Sequence, residues 1–512
     1  MPALRVRGGE QGKEAIKALG SRLPEVAAHY RKTEDELRGM LRRDKSLRLD
    51  PQARLTYLCE GLVAPVVGDT NMTDSPTALV ALADTFRLHS KSNSTRKIFL
   101  DFDGHTMSGN AWTANYNGGA DIIAPPWDVD GYPTNFNDGE RMLIQQVWLR
   151  VAEDYAAFDV DVTTEFPGEA ALTRANLGDQ NYGVRALISP ISSYFGNYGG
   201  IAYVGAFDST GDYNKPALIF PEKLSNSEKY IAEAVSHEVG HTLGLSHDGT
   251  TTGESYYNGQ GNWAPIMGVG YYKSIVQWSR GEYANANNTE NDLNVILSNG
   301  LSYRTDDVGD TTGTATMLSG LSITNTGILE RDTDVDYYSF AAAGGLASFS
   351  VLPWERGANV HFLLTLYASN GTALTNREVA DTSGGVQAVS LSRVLPTGTY
   401  YLSIAGIGSG NVLTTGYSDY GCLGNYTLTA NLPAPSAVVT SPTNLTLTVV
   451  GNLLQLSWPA DHIGWRLETQ TNVVGAGIGL NWFDVAGATA TNRVFVPRSP
   501  ATGSVLFRLA YP

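Results

Sequence analysis

The stretch that decides the reading is IAEAVSHEVGHTLGLSHD, from Ile231 to Asp248. It holds three of the chain's eight histidines, His237, His241 and His247, and Glu238 follows the first directly. Four residues of spacing place His237 and His241 on one face of a helix, one turn apart. Gly244 falls where that helix should stop, since a residue without Cβ takes positive φ at little cost. The turn it permits brings His247 round from outside the helix.

Two neutral imidazoles one turn apart can share one metal ion, and a third completes a set of three nitrogen ligands. Such a set leaves the fourth tetrahedral position open, as a catalytic zinc requires. The metal lowers the pKa of a bound water from about 15.7 toward about 7. Glu238 neighbours a ligand without being one. It is placed to take the proton of the attacking water and to return it to a leaving amine.

The full pattern H-E-x-x-H-x-x-G-x-x-H resembles the metzincin clan of zinc endopeptidases. That clan has a tight turn with a methionine beneath the metal, and Ala264-Pro265-Ile266-Met267-Gly268 is its match here. The resemblance implies that Met267 packs under the ligands without joining them. Asp248, directly after the third histidine, resembles the adamalysin (reprolysin-like) branch, where it would support the turn from outside the ligand set, with Gly244 shaping it. Other branches carry a Tyr two residues after the Met; Val269 stands there. Tyr271 and Tyr272 lie nearby as candidates for the oxyanion or the pocket wall. GGIAYVGAF (199–207) resembles the clan's cleft-lining edge strand, to which an extended peptide would add by main-chain hydrogen bonds.

Outward from this stretch, Asn137-Asp138-Gly139-Glu140 starts a long helix by capping-box logic, and KIFLDFDGH, VRALISP and PALIFPE read as strands. Ser225 with Glu228 offers a cap for the histidine-bearing helix. Upstream, Thr33 to Glu36 caps a helix through Arg43, and Asp50-Pro51 marks a turn between two strand-like runs. From about residue 305 helical patterns stop and short strands alternate with Gly, Asn, Asp and Ser turns. The expected fold class is multidomain. An α/β (α+β) metzincin-like catalytic domain with a mixed sheet and an active-site helix is followed by two all-β sandwich modules. The expected boundaries are 1–75 for a pro-segment-like region with a linker to 95, 96–303 for the catalytic domain, and 305–432 and 436–512 for the modules. Residues 305–432 resemble the bacterial pre-peptidase C-terminal domain, on DTDVDYYSF, FLLTLYASNG and GTYYLSIAG. That family is found behind the catalytic domains of secreted proteases.

Charge divides the chain. Residues 1–50 carry a net +4 and the remainder −20, within a total of −16. A basic front end is suited to docking on an acidic body, and an acidic body gives no support to nucleic-acid binding. Two cysteines, Cys59 and Cys422, make no disulfide framework. The resemblance also brings in a device of several clan members, latency through a pro-segment whose thiolate or carboxylate takes the open zinc position. Cys59 is the candidate for that role, with Glu60 beside it. Asp101 with Asp103, Asp128 with Asp130, and Asp332 with Asp334 and Asp336 are candidates for structural calcium.

No apolar run is long enough to span a membrane. The first twenty residues lack the apolar core of a signal peptide, so a secreted enzyme would be exported otherwise or start upstream. The expectation is a secreted, bacterial-type, monomeric zinc endopeptidase acting on a protein or peptide substrate, with surface or polysaccharide contact through its C-terminal modules. The alternatives are an extracellular adhesion or matrix-binding protein on a non-catalytic metallopeptidase fold, and a zinc amidase acting on cell-wall peptides.

Overall fold

The computed structural model describes residues 5–6, 8–64, 78–382, 384–434, 439–498 and 503–511. Residues 65–75 of the expected pro-segment-like region, 76–77 of the expected linker and Pro435 of the stretch between the two modules lie outside the described residues. The chain forms two compact units. One comprises Met1–Ala341, Ser348–Arg393 and Thr399–Asn431; the other comprises Ala342–Ala347, Val394–Gly398 and Leu432–Pro512.

The first unit opens with β1 (Glu10–Gln11), α1 (Gly12–Leu19), α2 (Leu23–His29), α3 (Glu34–Arg43), β2 (Leu47–Leu49) and β3 (Leu55–Cys59). At the start of α3 the Thr33 hydroxyl accepts from the Glu36 N–H, and the Glu36 carboxylate accepts from the Thr33 N–H. That reciprocal box satisfies two of the donors a helix start leaves unpaired. Between β2 and β3, Asp50 Oδ1 accepts the N–H groups of Gln52 (2.8 Å) and Arg54 (2.9 Å), closing the turn.

There follow β4 (Arg96–Asp101), β5 (His105–Met107), α4 (Ala111–Tyr116), β6 (Ile122–Ala124), α5 (Asp138–Asp154), β7 (Asp161–Thr163), β8 (Tyr182–Ile188), α6 (Ser192–Phe195), β9 (Gly200–Tyr203) and β10 (Ala217–Ile219). Next come α7 (Glu228–Thr242), β11 (Trp263–Pro265), β12 (Ile275–Gln277) and α8 (Asp292–Ser298). An eight-stranded mixed sheet runs β1-β2-β3-β9-β10-β8-β4-β7. From β7 to β10 the neighbours are parallel; β9, β3, β2 and β1 each run antiparallel to the strand before. Every residue of β8, β9 and β10 is buried. Covered on both faces, these strands read as near-continuous apolar runs rather than as alternating ones.

Two sequence expectations need correcting. GGIAYVGAF is not an edge strand, because β3 pairs along the side of β9 away from β10. Sequence alone identifies a strand with a bondable edge but not the distant segment that fills it. Ser225 does not cap α7 either. It sits at φ 55°, the residue before the helix is Ser227, and no side chain caps the start. Glu228 instead holds Arg150 of α5, through Nε (2.7 Å) and Nη2 (3.1 Å), in a buried bidentate pair that ties the two long helices together.

The first unit continues through β13 (Thr316–Met317), β14 (Ser322–Leu329), β15 (Val335–Pro353), β16 (Phe362–Ala368), β17 (Ala373–Glu378), β18 (Val389–Gly406) and β19 (Gly424–Asn431). They form one sheet ordered β14-β19-β15-β18-β16-β17, with β13 on β15. Burial alternates along β19, as in a sheet with one covered face. This sheet docks on α5: Trp354 Nε1 donates to Leu149 O (3.0 Å) and Asn425 Nδ2 to Glu153 (2.7 Å).

In the second unit β20 (Thr446–Val450), β21 (Leu453–Ser457), β22 (Arg466–Asn472), β23 (Phe483–Asp484), β24 (Arg493–Pro497) and β25 (Ser504–Ala510) form two three-stranded sheets, β20-β21-β24 and β23-β22-β25. Leu456, Trp458, Leu467 and Ala488 make its small core. No described helix is long and apolar enough to cross a membrane. Both cysteines are free and buried.

Candidate metal centre

Helix α7 carries His237, Glu238 and His241 inward, all fully buried. Beyond its end Gly244 takes φ 93°, and the position its missing Cβ would fill lies 2.9 Å from the Asn299 side chain. The left-handed turn reverses the chain and brings His247 to the two helical imidazoles. His241 and His247 Nε2 atoms are 3.0 Å apart.

The fourth member arrives from the front of the chain. Cys59 Sγ lies 3.7, 3.5 and 3.4 Å from the Nε2 atoms of His237, His241 and His247. With zinc–sulfur and zinc–nitrogen bonds of about 2.3 and 2.1 Å, a regular tetrahedron has sulfur–nitrogen edges of about 3.6 Å. The four atoms therefore have the spacing of a four-coordinate zinc cage. The other ring nitrogens support this. His237 Nδ1–H donates to Ile266 O (2.9 Å), His241 Nδ1–H to Leu245 O (2.9 Å) and His247 Nδ1–H to Asp44 Oδ2 (2.7 Å). With Nδ1 protonated on each ring, all three Nε2 lone pairs converge on one point. Burial holds the two helical imidazoles neutral, pushing His237 down to about 3 and His241 well below the ordinary histidine value.

Glu238 has both carboxylate oxygens buried without hydrogen-bond partners, and burial pushes its carboxyl well above the usual range. Its side chain lies over Gly200, where an added Cβ would meet Glu238 Oε1 at 2.5 Å. The glycine thus leaves room for the carboxylate between α7 and β9. Met267 is fully buried, and its Sδ would be 2.7 Å from a Cβ on Gly240, so it fits beneath the helix at the level of the ligands. Its carbonyl accepts from the Asp248 N–H (2.9 Å). The Asp248 carboxyl is buried beside Tyr283, with its proton affinity raised by burial and by Glu290.

Among the described residues neither nominated tyrosine has a ring contact or hydrogen bond to the three histidines, though the charges of Glu238 and Cys59 reach the buried Tyr271 hydroxyl. Tyr271 stacks on Tyr230 (4.1 Å) and donates its hydroxyl to Leu62 O (2.5 Å), while Tyr272 is 69% exposed. Three residues that the sequence did not single out are at the centre. Tyr57 stacks on His241 with ring centres 4.0 Å apart, and Tyr256 lies 4.2 Å from the His247 ring with its hydroxyl 2.9 Å from Ser46 Oγ. Asp44 is the third, through His247. Only Tyr57 had a signal: it shares a strand face with Cys59, two residues on.

Of the candidate calcium residues, Asp101 is paired with Arg185 instead. Asp128 and Asp130 group with Glu140, and Asp334 and Asp336 with Asp306, while Asp332 lies 3.9 Å from Arg280.

Residues 153–304 match the metallo-peptidase family M12B, reprolysin-like. Among solved structures, the pre-peptidase C-terminal domain of a collagenase from Bacillus anthracis is similar at 18% identity, over 25% of this chain and 98% of that one, with a TM-score of 0.17. A Yersinia pseudotuberculosis-derived mitogen is similar at 14% identity, over 24% of this chain and 96% of that one, with a TM-score of 0.15. No curated protein matches the chain.

Proposed function

We propose, starting from the reprolysin-like metallopeptidase match over residues 153–304, that the protein is the latent form of a secreted zinc endopeptidase. The observation that carries the reading is the convergence of three Nε2 atoms and one thiol beside an unpartnered buried carboxylate.

Zinc held by His237, His241 and His247 supplies Lewis-acid activation of a water and of the scissile carbonyl. The chain's own residues do the rest. Glu238 takes the water's proton and delivers it to the leaving amine, its carboxylate oxygens having no competing hydrogen-bond partner. β9 binds the substrate's main chain as an added strand. Ile266 O and Leu245 O hold two imidazoles in the ligating tautomer. Met267 floors the site.

In the latent chain, Cys59 takes the fourth position and β3 occupies the edge of β9 that a substrate needs. The basic front segment is thereby a pro-segment, and its removal opens both the metal and the edge. The test compares the full-length chain with the chain processed by limited proteolysis, on a mixed peptide library with and without a zinc chelator. Hydrolysis by the processed chain that the chelator abolishes is the expected result. Undiminished hydrolysis by a metal-free chain overturns the reading.

A further inference from the structure

β3 lies on β9 in antiparallel register, with Thr56 opposite Tyr203, Tyr57 opposite Ala202, Leu58 opposite Ile201 and Cys59 opposite Gly200. Along such a strand alternate side chains share a face, so Leu55, Tyr57 and Cys59 point together toward α7. Cys59 reaches the ligand atoms. Tyr57, two residues before it, is fully buried with its ring stacked 4.0 Å above His241 at an interplanar angle of 15°, and 4.4 Å from His247. The space beside it is bounded by Met40, Arg43 and Asp44 of the front segment and by Ser246, Ser255 and Asn288.

Past Cys59 the extended path ends. Glu60–Leu62 coil into a 3₁₀ turn, and Gly61 passes so close to Tyr256 that a Cβ would meet the ring at 2.3 Å. The strand therefore fills the amino side of the cleft as an extended peptide does, yet presents no extended bond beyond the metal position.

We propose that the place of Tyr57 is a substrate subsite for an aromatic side chain, so the mature enzyme favours polypeptides with Tyr or Phe two residues before the one set at the metal. This rests on the peptidase reading above. The flat face of His241, with the His247 ring tilted at 54° beside it, makes the aromatic-specific surface, since offset stacking adds to simple area burial. An aliphatic side chain in that place buries area without the stack.

The test uses the processed, active chain. Its probes are an acetylated amide of residues 54–59 with Ala in place of Cys59, and two further versions carrying Phe or Ala in place of Tyr57. The Tyr and Phe peptides should compete with a cleaved substrate about tenfold more tightly than the Ala peptide. Cleavage sites in the mixed library should be enriched in aromatics at the corresponding position. Equal competition by all three peptides, or robust cleavage with a flat profile there, overturns the subsite and leaves the peptidase reading intact. A processed, zinc-loaded chain that hydrolyses nothing overturns both.

Discussion

Cys59 stands opposite Gly200 across the β3–β9 ladder, and its thiol lies within 3.7 Å of all three histidine Nε2 atoms. One residue thus joins, on the proposed reading, two forms of obstruction, a metal ligand and a paired strand. Cys59→Ala removes the sulfur but keeps the ladder, the Tyr57 stack and the Asp44 hydrogen bond. The full-length variant should therefore show less than about a tenth of the processed chain's activity. A fluorogenic protein assay on both forms checks this; full activity without processing would mean that the thiol alone maintains latency.

The cage predicts about one zinc per chain. His237→Ala or His241→Ala should abolish stoichiometric zinc in metal analysis, and chelation should lower the melting temperature of the native chain, because bound metal stabilises only the folded form. A melting temperature indifferent to chelation would contradict the cage.

Asp44 holds His247 Nδ1 at 2.7 Å from within the proposed pro-segment. Carboxylate partners of ligating imidazoles typically account for 10–100-fold in metal affinity. Asp44→Ala in the full-length chain should weaken zinc binding by about that factor in a competitive chelator titration. The same substitution should leave the processed chain's affinity unchanged, since the segment is then gone.

Glu238→Gln should retain zinc and lose hydrolysis by about 10² to 10⁴-fold in the processed chain. Gly200→Ala tests the same carboxylate from the opposite side. A Cβ 2.5 Å from Oε1 must displace Glu238, so activity should fall about tenfold or more with zinc content preserved. Unchanged kcat in either variant would remove Glu238 from the chemistry.

Burial pushes the Glu153 carboxyl up to about 8 and Asp154 up to about 7, from unfolded values of 4.5 and 3.8. Glu153 accepts from the Asn425 N–H (3.1 Å), and Asp154 from Ser236 Oγ (2.6 Å) and Asn359 Nδ2 (3.0 Å). The folded state holds these protons more tightly than the unfolded state. Their contribution to stability is therefore fully present below the unfolded values and is lost progressively as pH rises from about 4 through the folded values of about 7 and 8. The steepest slope per proton is about 1.4 kcal/mol per pH unit. Melting temperature should fall across that range, and Glu153→Gln should flatten the fall; an unaltered profile would show that Glu153 does not titrate there.

Much of the centre was legible in one dimension because its constraints are local. The i, i+4 spacing of His237 and His241 sets a helix face, and the left-handed Gly244 turns the chain within three residues of His247. The capping pairs Thr33–Glu36 and Asn137–Glu140 act over a single turn, and each forms its box in the structure. Asp44 and Tyr256 were not legible, and Tyr57 was signalled only by sharing a strand face with Cys59. Asp44 meets His247 from far away in sequence, Tyr57 meets His241 likewise, and the contact of Tyr256 with His247 depends on the fold of the loop between them. Tyr271 and Tyr272 were nominated by nearness in sequence, and folding turns one toward Leu62 and the other to solvent.

The sequence by itself determined a helix bearing two convergent imidazoles, a glycine turn to a third, a glutamate beside them, and the change from helical to β texture near residue 305. Each follows from periodicity or from the φ preference of single residues. Only the tertiary structure decided that the strand from Leu55 to Cys59 closes the edge of β9, that its thiol completes the donor set, and that Tyr57 lies on His241. Strand pairing is made by main-chain groups that every residue carries, so no side-chain pattern in β9 specifies which distant segment will bind it.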